Sequence, residues 1–193
     1  MKQYSGFEPK VSSGAREVLP AGGYVAKVIS AKIEENDWGD RLVIAFDICD
    51  GDWREFFKKD FDGNQNEDKK WPNDAVYNLN VPSDNSPEYV WKNWNTFFAD
   101  LEESNNGLVF AGTVASLKGK LIGGKFYNEQ SEYRGTVYDH TRLKWTCIAE
   151  DVRKGKAGRM PADKLIESTS KPIETDSSGF MALSDAAEDE LPF

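Results

Sequence analysis

Residues 41–49 carry the sharpest pattern in the chain. Leu42, Ile44, Phe46 and Ile48 alternate with Arg41, Val43, Ala45 and Asp47, the two-residue period of a strand with one buried face. Upstream, Gly22-Gly23 opens a run from Tyr24 to Ile33 that is rich in β-branched residues, a second strand signal. Between them, Asn36, Asp37 and Gly39 are turn formers. Asp50-Gly51 is a hairpin signal, so a third strand is predicted from Trp53 to Phe61. Its alternation places Trp53, Phe57 and Phe61 inward and Arg54, Phe56, Lys58 and Asp60 outward. Residues 62–85 are less regular and read as an insertion.

At Ser86 the period changes. Ser86 is suited to an N-cap, Pro87 to the first helical position and Glu88 to the positive end of the dipole. Val90, Trp91, Trp94, Phe97, Phe98 and Leu101 fall on one helical face, which makes them core. Asn105-Asn106-Gly107 supplies the stop. Two more strands follow, about 120–128 and 133–148, the second with a turn near Asp139-His140. The order strand, strand, strand, helix, strand, strand predicts a mainly β fold, a five-stranded OB-fold-like barrel with one α-helix between strands 3 and 4. The expected organisation is an N-terminal arm (1–20), a barrel domain (21–152), a basic linker (153–167) and a disordered acidic C-terminal tail (168–193), the last inferred from its Ser, Thr, Asp and Glu content.

Length and charge refine this picture. The chain has 193 residues and a formal net charge of -9, which suits one domain with appendages. The charge is uneven: residues 1–115 carry -8, residues 116–159 carry +5 and residues 160–193 carry -6. A basic segment followed by an acidic end is a signature of an interaction device. No apolar run approaches the roughly 18 residues of a membrane span, and the N-terminus lacks the apolar stretch of a signal peptide. A cytoplasmic protein is expected. One His and two Cys fall short of the four ligands of a structural zinc site. Cys49 and Cys147 lie in strand-like runs and read as reduced, buried thiols.

Catalytic constellations are missing from the sequence. Gly119-Lys120 and Gly123-Gly124-Lys125 lack the remainder of a phosphate loop and read as a strand crowded against its neighbour or bent at a barrel corner. His140 has no nearby nucleophile, and no carboxylate pair sits in an apolar setting that would tune its pKa. No enzyme activity, cofactor or metal is expected, with a nuclease using scattered carboxylates as the enzymatic alternative.

Binding chemistry is better represented. Single strands need rings on which bases stack and cations that follow the phosphates. The outward face Arg54, Phe56, Lys58 offers both. Lys125 with Tyr127, and Arg142 with Lys144 opposite Leu143, Trp145 and Cys147, are same-side pairs by strand period. Arg134 and Tyr138 flank a bend at Gly135. Trp38 lies in the turn between strands 1 and 2, where an indole has no core to fill. These ten residues are the candidate DNA-binding set. The chain ends Glu188-Asp189-Glu190-Leu191-Pro192-Phe193. Pro192 stiffens this tip, Phe193 suits a small apolar pocket, and the acids with the terminal carboxylate suit a basic rim on a partner protein.

That ending resembles the C-terminal tip of bacterial single-stranded DNA-binding proteins. The body resembles the small single-stranded DNA-binding proteins of bacteriophages in Leu19-Pro20-Ala21-Gly22-Gly23-Tyr24, Gly119-Lys120-Leu121-Ile122-Gly123, Glu132-Tyr133-Arg134-Gly135 and Arg153-Lys154-Gly155-Lys156. The resemblance implies a barrel that coats single-stranded DNA without strong sequence preference, and a tip that recruits replication, recombination and repair proteins. The 62–85 stretch and the acidic body depart from it. Homo-oligomerisation is left open. The alternative is a non-catalytic protein-interaction adaptor on the same scaffold that never touches nucleic acid.

Overall fold

The computed structural model describes residues 17–106, 108–110 and 112–166. The acidic tail and its tip, and residues 1–16 of the arm, lie outside the described residues. The fold is mainly β. Five antiparallel strands, β1 (Gly22–Glu34), β2 (Arg41–Ile48), β3 (Val76–Asn80), β4 (Leu121–Tyr133) and β5 (Thr136–Cys147), form one sheet in the order β3-β2-β1-β4-β5. Helices α1 (Phe56–Gly63), α2 (Glu88–Ser104) and α3 (Ala149–Arg153) complete it. The expected helix between strands 3 and 4 is α2.

The long β1 lets the sheet curl. Its first half pairs with β4 (Tyr24 opposite Gly124) and its second half with β2 (Ala31 opposite Ile44), with a register shift between Val28 and Ser30. An inserted residue of this kind bends a strand and raises its twist. The sheet is not closed, since no backbone ladder joins β3 to β5. Side chains span the seam instead. His140 Nδ1 of β5 lies 3.1 Å from Asp74 Oδ1, just before β3. Helix α2 touches both edges, stacking Phe97 on Tyr77 of β3 (6.1 Å between centroids) and accepting a 2.7 Å hydrogen bond from Thr146 of β5 at Asp100. Asn105, at the end of α2, clamps Leu121 of β4: its amide donates to the Leu121 carbonyl (2.7 Å) and accepts from the Leu121 N–H (2.9 Å).

The core follows the alternation read from β2. Leu42, Ile44, Phe46 and Ile48 are buried with Val28, Ile122, Phe126, Phe97 and Leu101. Phe46 meets Phe57 and Phe126 edge-on at 5.8 and 5.7 Å. Gly123 and Gly124 are crowded as expected: a Cβ on Gly123 would stand 2.7 Å from the Cys147 carbonyl oxygen, and one on Gly124 2.6 Å from the Phe126 ring. Cys49 and Cys147 are free thiols, half-buried, and burial pushes both up to about 11. Both therefore stay protonated and weakly nucleophilic at neutral pH.

The structure corrects several sequence expectations. Residues 53–61 do not form a strand; they make a turn followed by α1. Trp53, Phe57 and Phe61 are four residues apart, a spacing that fits one face of a helix as well as of a strand. Tertiary contacts decide between them. β2 ends at Ile48, and the turn that follows closes at Glu55 in a left-handed conformation (φ 59°) immediately before α1. Asp47 Oδ1 accepts the backbone N–H of Phe57 at 3.0 Å, satisfying a donor at the start of the helix. The third strand is instead β3, inside the stretch read as an insertion. The turn predicted near Asp139-His140 lies at Arg134-Gly135, where successive residues have φ of 51° and 76°, as a two-residue hairpin loop requires. Asp139 and His140 are mid-strand, paired with Gln130 and Glu129. Helix α2 begins at Glu88, one residue later than predicted, and Ser86 Oγ accepts the Ser83 N–H rather than capping the helix.

The 153–167 stretch, read as a basic linker, makes specific contacts through its described part. Arg153 pairs with Asp50 at 2.8 Å, Ala157 is buried, and Lys164 exchanges backbone hydrogen bonds with Asn128 and Gln130 of β4. Among the described residues, no helix is long and apolar enough to cross a membrane.

Asp47 gives a stability prediction. It is buried, and its Oδ1 also accepts the Ile48 N–H at 2.9 Å. Burial outweighs these donors and raises its pKa. A raised carboxyl pKa means the folded state holds its proton longer than the unfolded one. This group's contribution is therefore best below the unfolded value and declines as pH rises through it to the raised value. Asp47→Asn keeps an acceptor without the charge, so urea midpoints measured from acid to neutral pH should flatten relative to wild type. Asp47→Ala strands two backbone donors and should cost about 1–3 kcal/mol at any of these pH values.

Candidate nucleic-acid interface

The loop between β1 and β2 carries Trp38 into solvent; its side chain is 100% exposed. An exposed indole with nothing beneath it contributes no core packing. Trp38 helps to line a groove of about 620 Å³ with Arg41, Asn80, Pro82 and Tyr89. The Tyr89 ring, at the start of α2, is 63% exposed. Arg41, at the start of β2, is also exposed. Two rings and a guanidinium thus share one concavity. Tyr89 and Arg41 are not among the sequence candidates. The sequence holds part of their signal: Tyr89 falls off the apolar stripe of α2, where an aromatic has no packing role.

A second aromatic and cationic surface lies on the β4–β5 hairpin. β4 pairs with β1 only as far as Phe126; beyond it β4 runs with β5 to the tip at Arg134-Gly135, its other edge covered by Lys164 as far as Gln130. The Arg134 guanidinium sits 5.1 Å from the centre of the Tyr133 ring. Tyr133 and Tyr138 are largely exposed, and Tyr138 pairs across the strands with Ser131.

Nearer the barrel, Tyr127 is opposite Arg142, and Lys125 opposite Trp145. The first pair is engaged by its own protein. Tyr127 is only 6% exposed, with Lys164 Nζ 5.3 Å from its ring centre. Arg142 Nε is 2.7 Å from Glu129 Oε2. The second pair arises from a register shift between Lys125 and Phe126. Lys144 is left without a cross-strand partner there, so the inward set predicted from alternation is broken. Leu143 meets Phe126, whereas Trp145 turns out beside Lys125 and is 44% exposed. Trp145 is therefore a surface ring that strict alternation places in the core.

The face expected from Arg54, Phe56 and Lys58 does not form. Phe56 is half-buried, edge-on to Trp53 at 5.5 Å and to Phe57 at 5.1 Å. Lys58 is exposed but pairs with Asp62 at 3.0 Å, one helical turn on, and Arg54 is exposed in the preceding turn. The reason is the helix: on α1, residues two apart do not share a face. Among the described residues, no group of three or more His, Cys, Asp and Glu is placed to hold a metal ion. His140, whose Nε2 lies 3.0 Å from Ser131 Oγ, is held between that hydroxyl and Asp74 at the barrel seam. No protein-family model matches the chain, and no curated protein matches it.

Proposed function

We propose that this protein binds single-stranded DNA without strong sequence preference, in DNA replication, recombination or repair, and recruits partner proteins through its acidic C-terminal tip. The observation that carries the reading is the fully exposed Trp38 beside Arg41 and Tyr89 in one groove. It stands on the first loop of a five-stranded, partly open barrel, an architecture whose strand 2–3 face and loops bind oligonucleotides. The Tyr133, Arg134 and Tyr138 cluster extends the same chemistry. Rings take bases of any identity and cations take phosphates, so such a surface discriminates strandedness rather than sequence. The net charge of +5 over residues 116–159 supports the reading against an overall charge of -9.

Fluorescence anisotropy with labelled oligo-dT and a matched duplex tests it. Binding should favour oligo-dT and weaken as salt rises, with a log–log slope of about -0.7 per phosphate neutralised. Intrinsic tryptophan fluorescence should be quenched on binding. Equal or absent binding to both ligands at low salt would sink the proposal and favour the adaptor alternative.

The tip is tested separately. Removing residues 185–193 should abolish pull-down of replication proteins while leaving oligo-dT affinity equal or higher, because the acids compete with phosphate for cations. Unchanged pull-downs would refute recruitment through the tip and leave the DNA-binding reading in place.

A further inference from the structure

The 62–85 stretch builds a surface of its own. Helix α1 and the loop after it border an open groove of about 820 Å³. Two rings line it, Phe61 from α1 and Trp71 from the loop, tilted at 42° with centroids 5.5 Å apart. Trp71 is anchored: its Nε1 donates to the Phe46 carbonyl on β2 at 3.2 Å. Phe61 thus leans on a ring fixed to the barrel. Three amines, Lys59, Lys69 and Lys70, line the same groove, and Lys69 Nζ lies 4.6 Å from the centre of the Phe61 ring.

The chemistry of this groove is specific in kind. Amines alone would suit any anion, and rings alone any flat apolar group. Their combination suits a ligand that joins flat bases to phosphates at short spacing. The carboxylates of Asp60 and Asp68 also line the groove, which keeps it from being a strong trap for free phosphate. The Lys69 amine resting on Phe61 is a cation–π contact of the kind that holds a ring and a charge ready in one place. A base that takes that ring face releases the amine for a neighbouring phosphate.

We propose that the α1–Trp71 groove is a second contact site for single-stranded DNA, taking one or two nucleotides with a base on Phe61 and the phosphates on Lys69 and Lys70. The inference deepens the reading of the protein as a single-strand binder and rests on it. It gives the 62–85 stretch two roles: β3 completes the sheet, and the loop before it lengthens the track that a strand can follow.

The test uses the full chain and oligo-dT. The double variant Lys69→Gln/Lys70→Gln should lower affinity at moderate salt and reduce the magnitude of the log–log salt slope by about 1.4, the loss expected for two phosphate contacts. The control Lys27→Gln/Lys32→Gln makes the same change in net charge at exposed positions outside the groove and outside the basic 116–159 segment and should alter the slope much less. Photocrosslinking with an oligonucleotide carrying 5-bromouracil should label the peptide spanning 61–71. If wild type binds oligo-dT but the groove variant keeps its slope and that peptide stays unlabelled, the second site is refuted and the single-strand reading stands. A slope reduced equally by the control refutes it too, since the effect would then be long-range charge. If wild type fails to bind oligo-dT, the parent reading fails and takes this inference with it.

Discussion

Phe46→Ala should lower the free energy of unfolding by about 3–5 kcal/mol, the range for truncating a buried phenylalanine. Phe46 sits where the sheet, α1 and β4 meet, with its ring edge-on to both Phe57 and Phe126. Its backbone carbonyl also receives the Trp71 indole N–H. The cavity would therefore open beneath the aromatic cluster that seats α1 against the sheet. Urea unfolding monitored by far-UV circular dichroism reads the loss in the midpoint. Phe46→Leu, which keeps much of the volume, should cost far less. If alanine costs under about 1 kcal/mol, Phe46 is not the centre of the core.

Trp38→Ala is the complementary case, with a large effect on binding and almost none on stability. A fully exposed side chain has little packing to lose, so the unfolding free energy should move by less than about 0.5 kcal/mol. Stacking one base on an aromatic ring contributes about 1–3 kcal/mol, equivalent to roughly a 5- to 150-fold rise in Kd for oligo-dT. Trp38→Phe should recover much of the affinity, because a smaller ring still stacks. The contrast between the two substitutions separates loss of a stacking platform from general damage to the loop. An unchanged Kd for Trp38→Ala would remove the observation on which the proposed function chiefly rests.

The candidate surface is only partly legible in the sequence. Trp38 can be read from its turn, because an indole between two strands with no apolar neighbours is out of place in a core. Arg134 and Tyr138 are legible near the hairpin tip, although the turn signal at Asp139-His140 points about five residues too late. Phe56 is misplaced by alternation because a helix and a strand share the four-residue spacing of Trp53, Phe57 and Phe61. Trp145 reads as inward because a single skipped residue, Lys144, reverses the facing of the residues beyond it. Arg41, Phe61 and Trp71 escape notice as ligand groups. Arg41 is unremarkable until α2 is beside it, whereas Phe61 reads as the inward residue of a strand and Trp71 as part of an irregular stretch. Tyr89 shows only as an aromatic off the apolar stripe of its helix.

Local pattern alone determined that residues 41–48 form a half-buried strand, that a helix follows Pro87 with Val90, Phe97, Phe98 and Leu101 on its buried face, although Trp91, read as part of that face, is exposed, and that the fold is mainly β. Those features depend on periodicity and turn chemistry, which act over a few residues. Tertiary structure alone decided that 56–63 is a helix and that 76–80 is the third strand. The first depends on Asp47, ten residues upstream of the N–H it accepts, and the second on pairing with β2 across more than thirty residues of chain. The same holds for the Trp38 groove, where Trp38 and Arg41 meet Tyr89 from about fifty residues further along the chain only once the β1–β2 loop and α2 are folded side by side. The α1–Trp71 groove lies within residues 59–73; what local pattern missed there is that 56–63 is a helix, a choice made by contacts outside that window.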